Sequence, residues 1–142
     1  MAQETLASRG VNFALRERAH LQDYQLKFNK IPTPDNGTAY ANVEPCEGKQ
    51  VHGWAYLVTR DSLRNLDLFE GAPIHYQRKT LPIVFEENRE SLEAILYVAN
   101  MNKVARNDRL PTQIYFEKLR KNVDQTFPSD YIDHLDSFNP GV

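Results

Sequence analysis

The chain has 142 residues, of which 41% are hydrophobic and 25% charged, which is enough to bury the core of one globular domain over residues 1–142. A formal net charge of −2 excludes a strong electrostatic attraction to nucleic acid or to anionic membranes. The single cysteine excludes an intrachain disulfide, and the lack of a long apolar run or a basic leader predicts a cytoplasmic protein without a membrane span.

The first half of the chain is predicted to be mostly strand. Residues 1–10 are typical of a short helix ended by a glycine, which accepts the left-handed conformation just past a helix. Alternating apolar residues predict a strand over residues 19–28, and prolines and glycine then predict a loop over 31–37. Two more strands are predicted over 39–43 and 51–58. The second has apolar residues on both sides, so we expect it to be buried on two faces.

The second half is predicted to contain a helix, a β-hairpin and two more helices. The first helix, capped by Thr59 or Asp61, runs to about Phe69 and ends at Gly71. The others are a hairpin over 76–85 and 92–99, a helix opened by Pro111 and Thr112, and a last helix capped by Ser129. Short connections between the strands favour an antiparallel arrangement. We therefore expect an α+β fold with a small, mainly antiparallel, barrel-like sheet and helices packed outside it.

One short segment, residues 66–71 (Leu-Asp-Leu-Phe-Glu-Gly), has the composition of a site for proton transfer. It places the Glu70 carboxyl at a helix C-terminus, where the negative end of the helix dipole disfavours the ionised form. Burial beside Phe69 and Tyr76 would act in the same direction. Such a carboxyl can accept and donate a proton near neutral pH. The plainer interpretation is an exposed helix end followed by a glycine stop, and residue chemistry alone favours it.

The wider pattern resembles the γ-glutamylcyclotransferase family, including its γ-glutamylamine cyclotransferase relatives. Four segments occur in that family's order and spacing: residues 18–30, 41–45 (Ala-Asn-Val-Glu-Pro), 51–56 (Val-His-Gly-Trp-Ala-Tyr) and 66–71, the last followed by Tyr76. The final segment resembles the family's Leu-Asp-x-x-Glu-Gly motif. Each match is weak alone, but together they cover about residues 5 to 135.

The resemblance implies an enzyme that needs no cofactor. Glu70 would be its catalytic acid–base residue, and Tyr115 and Tyr76 would contact the substrate. Aromatic core packing explains Tyr115 equally simply and Tyr76 more simply. Asn42 is expected to fix the backbone rather than touch substrate. The substrate would be a γ-glutamyl amino acid or amine, whose α-amine attacks the side-chain carbonyl. The products would be 5-oxoproline and the free amine.

One part of the family pattern is missing. The family normally begins with a strand ending in Tyr-Gly-Ser-Asn, whose backbone amides grip the substrate, and this sequence contains no such motif. We expect either a longer native chain, a shortened piece, or a protein that has lost the turn. A homo-oligomer would then cover an open sheet edge. The alternative function is a non-catalytic small-molecule or protein-binding module on the same fold.

No metal site is expected from the sequence. A metal ion needs several ligands brought together, and the four histidines share no recognisable ligand spacing. They are His20, His52, His75 and His134.

Overall fold

A computed structural model describes residues 3–142, which form an antiparallel sheet of four strands and four helices. In chain order the elements are α1 (Gln3–Ser8), β1 (Phe13–Lys30), β2 (Tyr40–Val58), α2 (Arg60–Glu70), β3 (Tyr76–Phe85), β4 (Ser91–Ala99), α3 (Gln113–Arg120) and α4 (Ser129–Asp136). A 3₁₀ turn spans Met101–Lys103. The expected α+β class is confirmed. The helix predicted over residues 1–10 is α1, although its first two residues lie outside the described part of the chain.

The strands are ordered β2-β1-β3-β4. Strand β1 pairs with β2 along most of its length, and β3 pairs with β4 from Tyr76 to Val84. By contrast, β1 and β3 share two register pairs in the described chain, Ala19 with Phe85 and His20 with Val84. The β1–β3 ladder, which joins the two hairpins, is therefore the shortest ladder of the sheet. Strands β2 and β4 form its edges, and the expectation that a second copy covers an edge stays a prediction.

Two sequence predictions for β2 are wrong. The strands predicted over 39–43 and 51–58 are one strand of 19 residues, because Gly48 takes a left-handed φ of 81° and Asp23 opposite it one of 64°, so a bulge continues the ladder. Residues 51–58 are also not buried on two faces: they are half-buried, and Leu57 is exposed. The reason is that β2 lies at the edge of the sheet.

The observed helix caps agree in part with those predicted from the sequence. Thr59, rather than Asp61, caps α2 by accepting a hydrogen bond from the Ser62 amide, and Thr112 caps α3 in the same way. The capping role predicted for Ser129 is wrong. Pro128 occupies the cap position of α4 and makes no side-chain capping bond, and the Asp130 carboxylate accepts a hydrogen bond from the Tyr131 amide in the first turn at 2.9 Å.

The sheet curls so that its two edges meet. The amide of Ala99, at the end of β4, donates a hydrogen bond of 2.9 Å to Oδ1 of Asn42, near the start of β2. The Tyr76 hydroxyl, at the start of β3, donates to the Ala41 carbonyl oxygen at 2.8 Å. The end of α2, the start of β3 and the start of β2 therefore lie side by side, and the candidate site is built there.

The core divides into three groups around the sheet. The first packs α3 and α4 onto β1, the second packs α1 and α2 together, and the third lies between β1 and β3. Their buried members are Leu26, Phe28, Ala39, Phe116, Phe127, Tyr131 and Leu135; Leu6, Val11 and Leu66; and Ala19, Leu21 and Ile83. Complete burial of one such large side chain contributes about 1.5–3 kcal/mol. None of the described helices combines the length and the apolar character that a membrane crossing requires.

Candidate active site

The end of helix α2 positions Glu70. The helix is amphipathic, and its Leu66 is buried against Leu6 and Val11, which holds α2 on α1. Gly71 follows in the left-handed conformation, with φ 61° and ψ 35°, and its amide bonds back to the last turn. This is the usual helix stop that only glycine adopts without strain. Glu70 therefore sits at the last position before the chain turns toward β3.

Asp67 fixes the same helix end to the sheet. Its two carboxylate oxygens accept hydrogen bonds from Nε and Nη2 of Arg78, at 2.8 and 2.5 Å, and Oδ1 also accepts one from Tyr97 at 2.6 Å. The bonds from Arg78 and Tyr97 hold the pKa of Asp67 below its usual value, against the opposing effect of burial. The aspartate of the Leu-Asp-x-x-Glu-Gly segment is thus an anchor between α2 and the β3–β4 hairpin.

The Glu70 side chain is 16% exposed and pairs with Arg9, whose Nη1 lies 3.0 Å from Oε1. The Arg9 guanidinium also lies over the Phe69 ring, 5.3 Å from its centroid. Sequence analysis did not find Arg9, because it precedes Glu70 by 61 positions and lies outside every segment that suggested chemistry. Glu70 therefore faces the end of α1 rather than bulk water.

Tyr76 and Tyr115, the two tyrosines proposed from sequence, meet at one residue of β2. The Tyr76 hydroxyl donates to the Ala41 carbonyl oxygen, and the Ala41 amide donates to the Tyr115 hydroxyl at 3.3 Å. Burial raises the pKa of Tyr115 to about 12 and also raises that of Tyr76, with the Glu70 carboxylate adding to both effects. Both phenols are therefore protonated at neutral pH and lie within the electrostatic reach of Glu70.

Lys30 is a second cation beside these tyrosines. Its side chain is 3% exposed, and Nζ donates to the Ile31 carbonyl oxygen at 2.6 Å. Nζ also lies 5.6 Å from the Tyr76 ring centroid and 6.0 Å from that of Tyr40. Burial lowers the pKa of Lys30, and the charge of Glu70 opposes that change. Sequence analysis missed Lys30, since a lysine at the end of a strand is ordinarily exposed.

A buried polar chain lies next to the tyrosines. Asn42 donates through Nδ2 to Oδ1 of Asn29 at 3.1 Å, and Asn29 donates to the Glu44 carboxylate at 2.7 Å. Since Asn42 also accepts from the Ala99 amide, it joins β1, β2 and β4. This agrees with the expectation that Asn42 orders backbone rather than contacts a ligand.

The surface depressions described for the chain lie away from Glu70. One is lined by Trp54 and Glu86 among others, and the second by Phe116 and Arg120 among others. A hollow beside Glu70, which a role in proton transfer would require, is not one of these two, and Arg9 covers part of the carboxylate.

A different group of side chains has the chemistry of metal ligands. His20, His52 and Glu86 place one ligand atom each within 4.8 Å of one another. The argument from sequence spacing against any shared histidine site therefore does not hold for His20 and His52, because β1–β2 pairing sets them directly opposite each other. Spacing along the chain carries no information on such cross-strand neighbours.

Comparison with known proteins identifies the family. The family model described as gamma-glutamyl cyclotransferase, AIG2-like, matches residues 2–117. The chain belongs to this family. The match includes every segment that carried the sequence resemblance, so the resemblance is confirmed. Among curated proteins, none matches the chain.

Solved structures share the fold of this family member at low sequence identity. A structure titled gamma-glutamyl cyclotransferase has a TM-score of 0.73 and 19% identity, covering 97% of this chain and 82% of that one. An uncharacterized protein from Homo sapiens has a TM-score of 0.71 and 19% identity, with coverages of 97% and 80%. An AIG2-like protein from Mus musculus has a TM-score of 0.50 and 24% identity, with coverages of 68% and 65%. These likenesses establish the cyclotransferase fold.

Proposed function

We propose that this family member cyclises a γ-glutamyl amino acid or γ-glutamyl amine to 5-oxoproline, with Glu70 as the general acid–base. Family membership supports a cyclotransferase-type function. The observation that carries the specific proposal is the position of the Glu70 carboxylate, mostly covered, at a helix end beside two protonated tyrosines and two cations.

In the proposed reaction, one proton passes from the substrate to Glu70 and one passes back from Glu70 to the substrate. Glu70 takes a proton from the substrate's α-amine, whose nitrogen attacks the γ-carbonyl carbon and closes a five-membered ring. The protonated Glu70 then gives its proton to the amide nitrogen, the carbon–nitrogen bond breaks, and the free amine leaves. Such proton transfer contributes about 10²- to 10⁴-fold to a rate, and holding the flexible substrate curled contributes further.

The two cations suit the substrate's α-carboxylate. Arg9 pairs with Glu70 through Nη1 of its guanidinium, and Nζ of the buried Lys30 lies 5.6 Å from the Tyr76 ring centroid. We propose that the substrate carboxylate replaces Glu70 as the partner of Arg9. That exchange would free the Glu70 carboxylate at the moment when the substrate amine arrives. A guanidinium is well suited to this because it binds carboxylates with two parallel hydrogen bonds.

The test is release of 5-oxoproline and free amine from a panel of γ-glutamyl substrates by wild type and Glu70→Gln. The substitution keeps the shape of the side chain but cannot accept the proton. We expect kcat to fall by about 10²- to 10⁴-fold. Glu47→Gln, which changes an exposed glutamate of β2, should turn over like wild type. Equal turnover by Glu70→Gln and wild type would rule out the catalytic role.

The alternative is a non-catalytic small-molecule or protein-binding module on the same fold. It is favoured by the lack of a Tyr-Gly-Ser-Asn segment in the 142 residues, because that turn grips substrate in the family pattern. Calorimetric titration with γ-glutamyl compounds separates the two functions. Saturable binding without any 5-oxoproline would favour the binding module.

A further inference from the structure

Three potential metal ligands converge at the far end of the sheet from Glu70. His20 lies on β1, His52 lies opposite it on β2, and Glu86 directly follows β3. Oε1 of Glu86 is 2.5 Å from Nδ1 of His20 and 3.6 Å from Nδ1 of His52. Strand β3 separates this cluster from Tyr76, and its 10 residues span roughly 30 Å at 3.3 Å per residue. The cluster is therefore distinct from the candidate active site.

A chain of side-chain amides assigns the tautomer of His52. Gln22 donates from Nε2 to the Asp23 carboxylate at 3.3 Å, and Gln50 donates from Nε2 to Oε1 of Gln22 at 2.8 Å. Oε1 of Gln50 then lies 3.1 Å from Nε2 of His52. A carboxylate only accepts hydrogen bonds, so the direction of the whole chain is fixed from Asp23 onward. Nε2 of His52 must carry the hydrogen, and Nδ1 carries the lone pair.

That lone pair is buried and faces an anion. The His52 side chain is 6% exposed, and no donor among residues 3–142 hydrogen-bonds to its Nδ1. The Glu86 oxygen lies 3.6 Å from it and is also an acceptor. Two acceptors facing each other repel. Nδ1 of His20 hydrogen-bonds to the same Glu86 oxygen at 2.5 Å, so a cation bound among the three atoms would displace that hydrogen. Arg89 holds the other Glu86 oxygen at 3.2 Å, which leaves Oε1 directed at the two rings.

We propose that His20 Nδ1, His52 Nδ1 and Glu86 Oε1 bind a divalent transition-metal ion, with Zn²⁺ as the reference ion. Two histidines and one glutamate are a common donor set for zinc, and three protein ligands leave a fourth position open. Ligand atoms about 2.1 Å from a tetrahedral ion lie about 3.4 Å apart. The 3.6 Å separation at His52 fits that geometry, and the partly exposed Glu86 need move only slightly away from His20.

Some charged groups around the cluster favour a cation there, and others oppose it. A histidine binds a metal ion through a nitrogen that carries a lone pair, and the His52 tautomer set by Gln50 leaves Nδ1 in that form. The carboxylates of Glu86 and Asp130 favour a cation there, while Arg18 opposes it. The Arg18 guanidinium donates to the Gly53 carbonyl oxygen at 2.7 Å and lies over the Phe127 ring.

A metal ion at this position would join three strands. In the described chain β1 and β3 share two register pairs, and one of them includes His20 itself. An ion bound by His20, His52 and Glu86 would link the end of β3 to β1 and β2 beside this short β1–β3 ladder. Because ligands that bind the folded state stabilise it, Zn²⁺ should raise the Tm of the protein.

The experiment is a Zn²⁺ titration of the chelator-treated full chain in competition with a chromophoric chelator, repeated with Co²⁺ to record its ligand-field absorption. We expect one equivalent to bind and Tm to rise. Glu86→Gln and His52→Gln should each weaken binding by more than about 100-fold, since even loss of an outer hydrogen bond to a ligand costs 10- to 100-fold. The matched control is His134→Gln, whose ring bonds to the Leu26 carbonyl oxygen in another part of the fold. It should bind Zn²⁺ like wild type.

A second measurement covers the case in which a buried histidine variant does not fold. Gln50→Ala alters an exposed side chain and removes its hydrogen bonds to Gln22 and to His52, the second of which sets the His52 tautomer. We expect 10- to 100-fold weaker binding, and in wild type the ¹⁵N resonances of the two Nδ1 atoms should shift when Zn²⁺ is added. Less than one equivalent bound by wild type, equal affinity in Glu86→Gln, or a shift confined to other histidines would overturn the proposal.

Discussion

The carboxylate of Asp67 accounts for the position of Glu70 three residues later. It accepts hydrogen bonds from Arg78 on β3 and from Tyr97 on β4. A helix end held in this way cannot rotate without breaking charged hydrogen bonds, so the direction of the Glu70 side chain is set by a residue that takes no part in the proposed chemistry.

Asp67→Asn should destabilise the fold. An amide keeps the shape but loses the charge, and one of its two terminal atoms becomes a donor that faces the Arg78 guanidinium. Because the pair is partly exposed, we expect a loss of about 1–2 kcal/mol in the free energy of unfolding, measured by urea denaturation. Asp133→Asn is the control, since Asp133 is an exposed residue of α4. A similar small effect in both variants would contradict the anchoring role.

The difference in stability between wild type and Asp67→Asn should depend on pH. The pKa of Asp67 is lowered in the folded state from its usual 3.8. A lowered carboxyl pKa contributes stability that is present above the unfolded value and is lost as the pH falls through the folded value. The stability difference between wild type and Asp67→Asn should therefore stay constant from pH 7 to about 5 and shrink below about pH 4. A difference unchanged at pH 3 would contradict this assignment.

At the scale of elements, the turn after α2 is the most constrained. Gly71 has φ 61°, and a Cβ atom added there would lie 2.8 Å from Cδ2 of His75. Gly71→Ala should therefore cost more than the 1–2 kcal/mol of the left-handed conformation alone and should lower kcat by displacing Glu70. Gly48→Ala separates the cost of the left-handed conformation from that of the steric contact, since Gly48 has φ 81° and no atom lies within 4 Å of the added Cβ. Equal losses of stability in the two variants would contradict a steric role for His75.

Local patterns predict the elements well and their junctions poorly. Alternating apolar residues and turn residues locate β3, β4 and the helices, and Thr112 is correctly placed at the start of α3. Sequence patterns divide β2 in two because Pro45 and Gly48 usually end a strand, whereas here Pro45 pairs with Tyr24 and Gly48 lies in the bulge that follows. The site follows the same rule: Glu70 lies in a local motif, whereas Arg9 and Lys30 reach it only through the packing of distant segments.

At the scale of the molecule, α3 and α4 close the core over β1. Leu135 of α4 is 0% exposed, and the Trp54 indole of β2 donates to the Asn122 carbonyl oxygen just beyond α3. The helices and the sheet thus share one packed interior. A domain of this size with a shared interior is expected to unfold in one cooperative step.

Leu135→Ala tests this cooperativity. We expect a loss of about 2–5 kcal/mol in the free energy of unfolding, because the substitution leaves a cavity. Ile114→Ala on α3 removes an exposed side chain and should change stability by less than about 0.5 kcal/mol. Trp54 fluorescence and far-ultraviolet circular dichroism should report the same urea midpoint in each protein. Separate midpoints in Leu135→Ala would show that the helices unfold independently of the sheet.

The two hydrogen bonds at Ala41 give the two phenols opposite characters. The Tyr76 hydroxyl already donates its hydrogen to a backbone oxygen, so it can only accept a hydrogen bond from a bound molecule. Tyr115 receives a backbone proton on its oxygen and keeps its own, so it can offer that proton. A molecule with a carbonyl at one end and an amine at the other would therefore meet one hydroxyl that donates and one that accepts, both fixed by Ala41 before it binds.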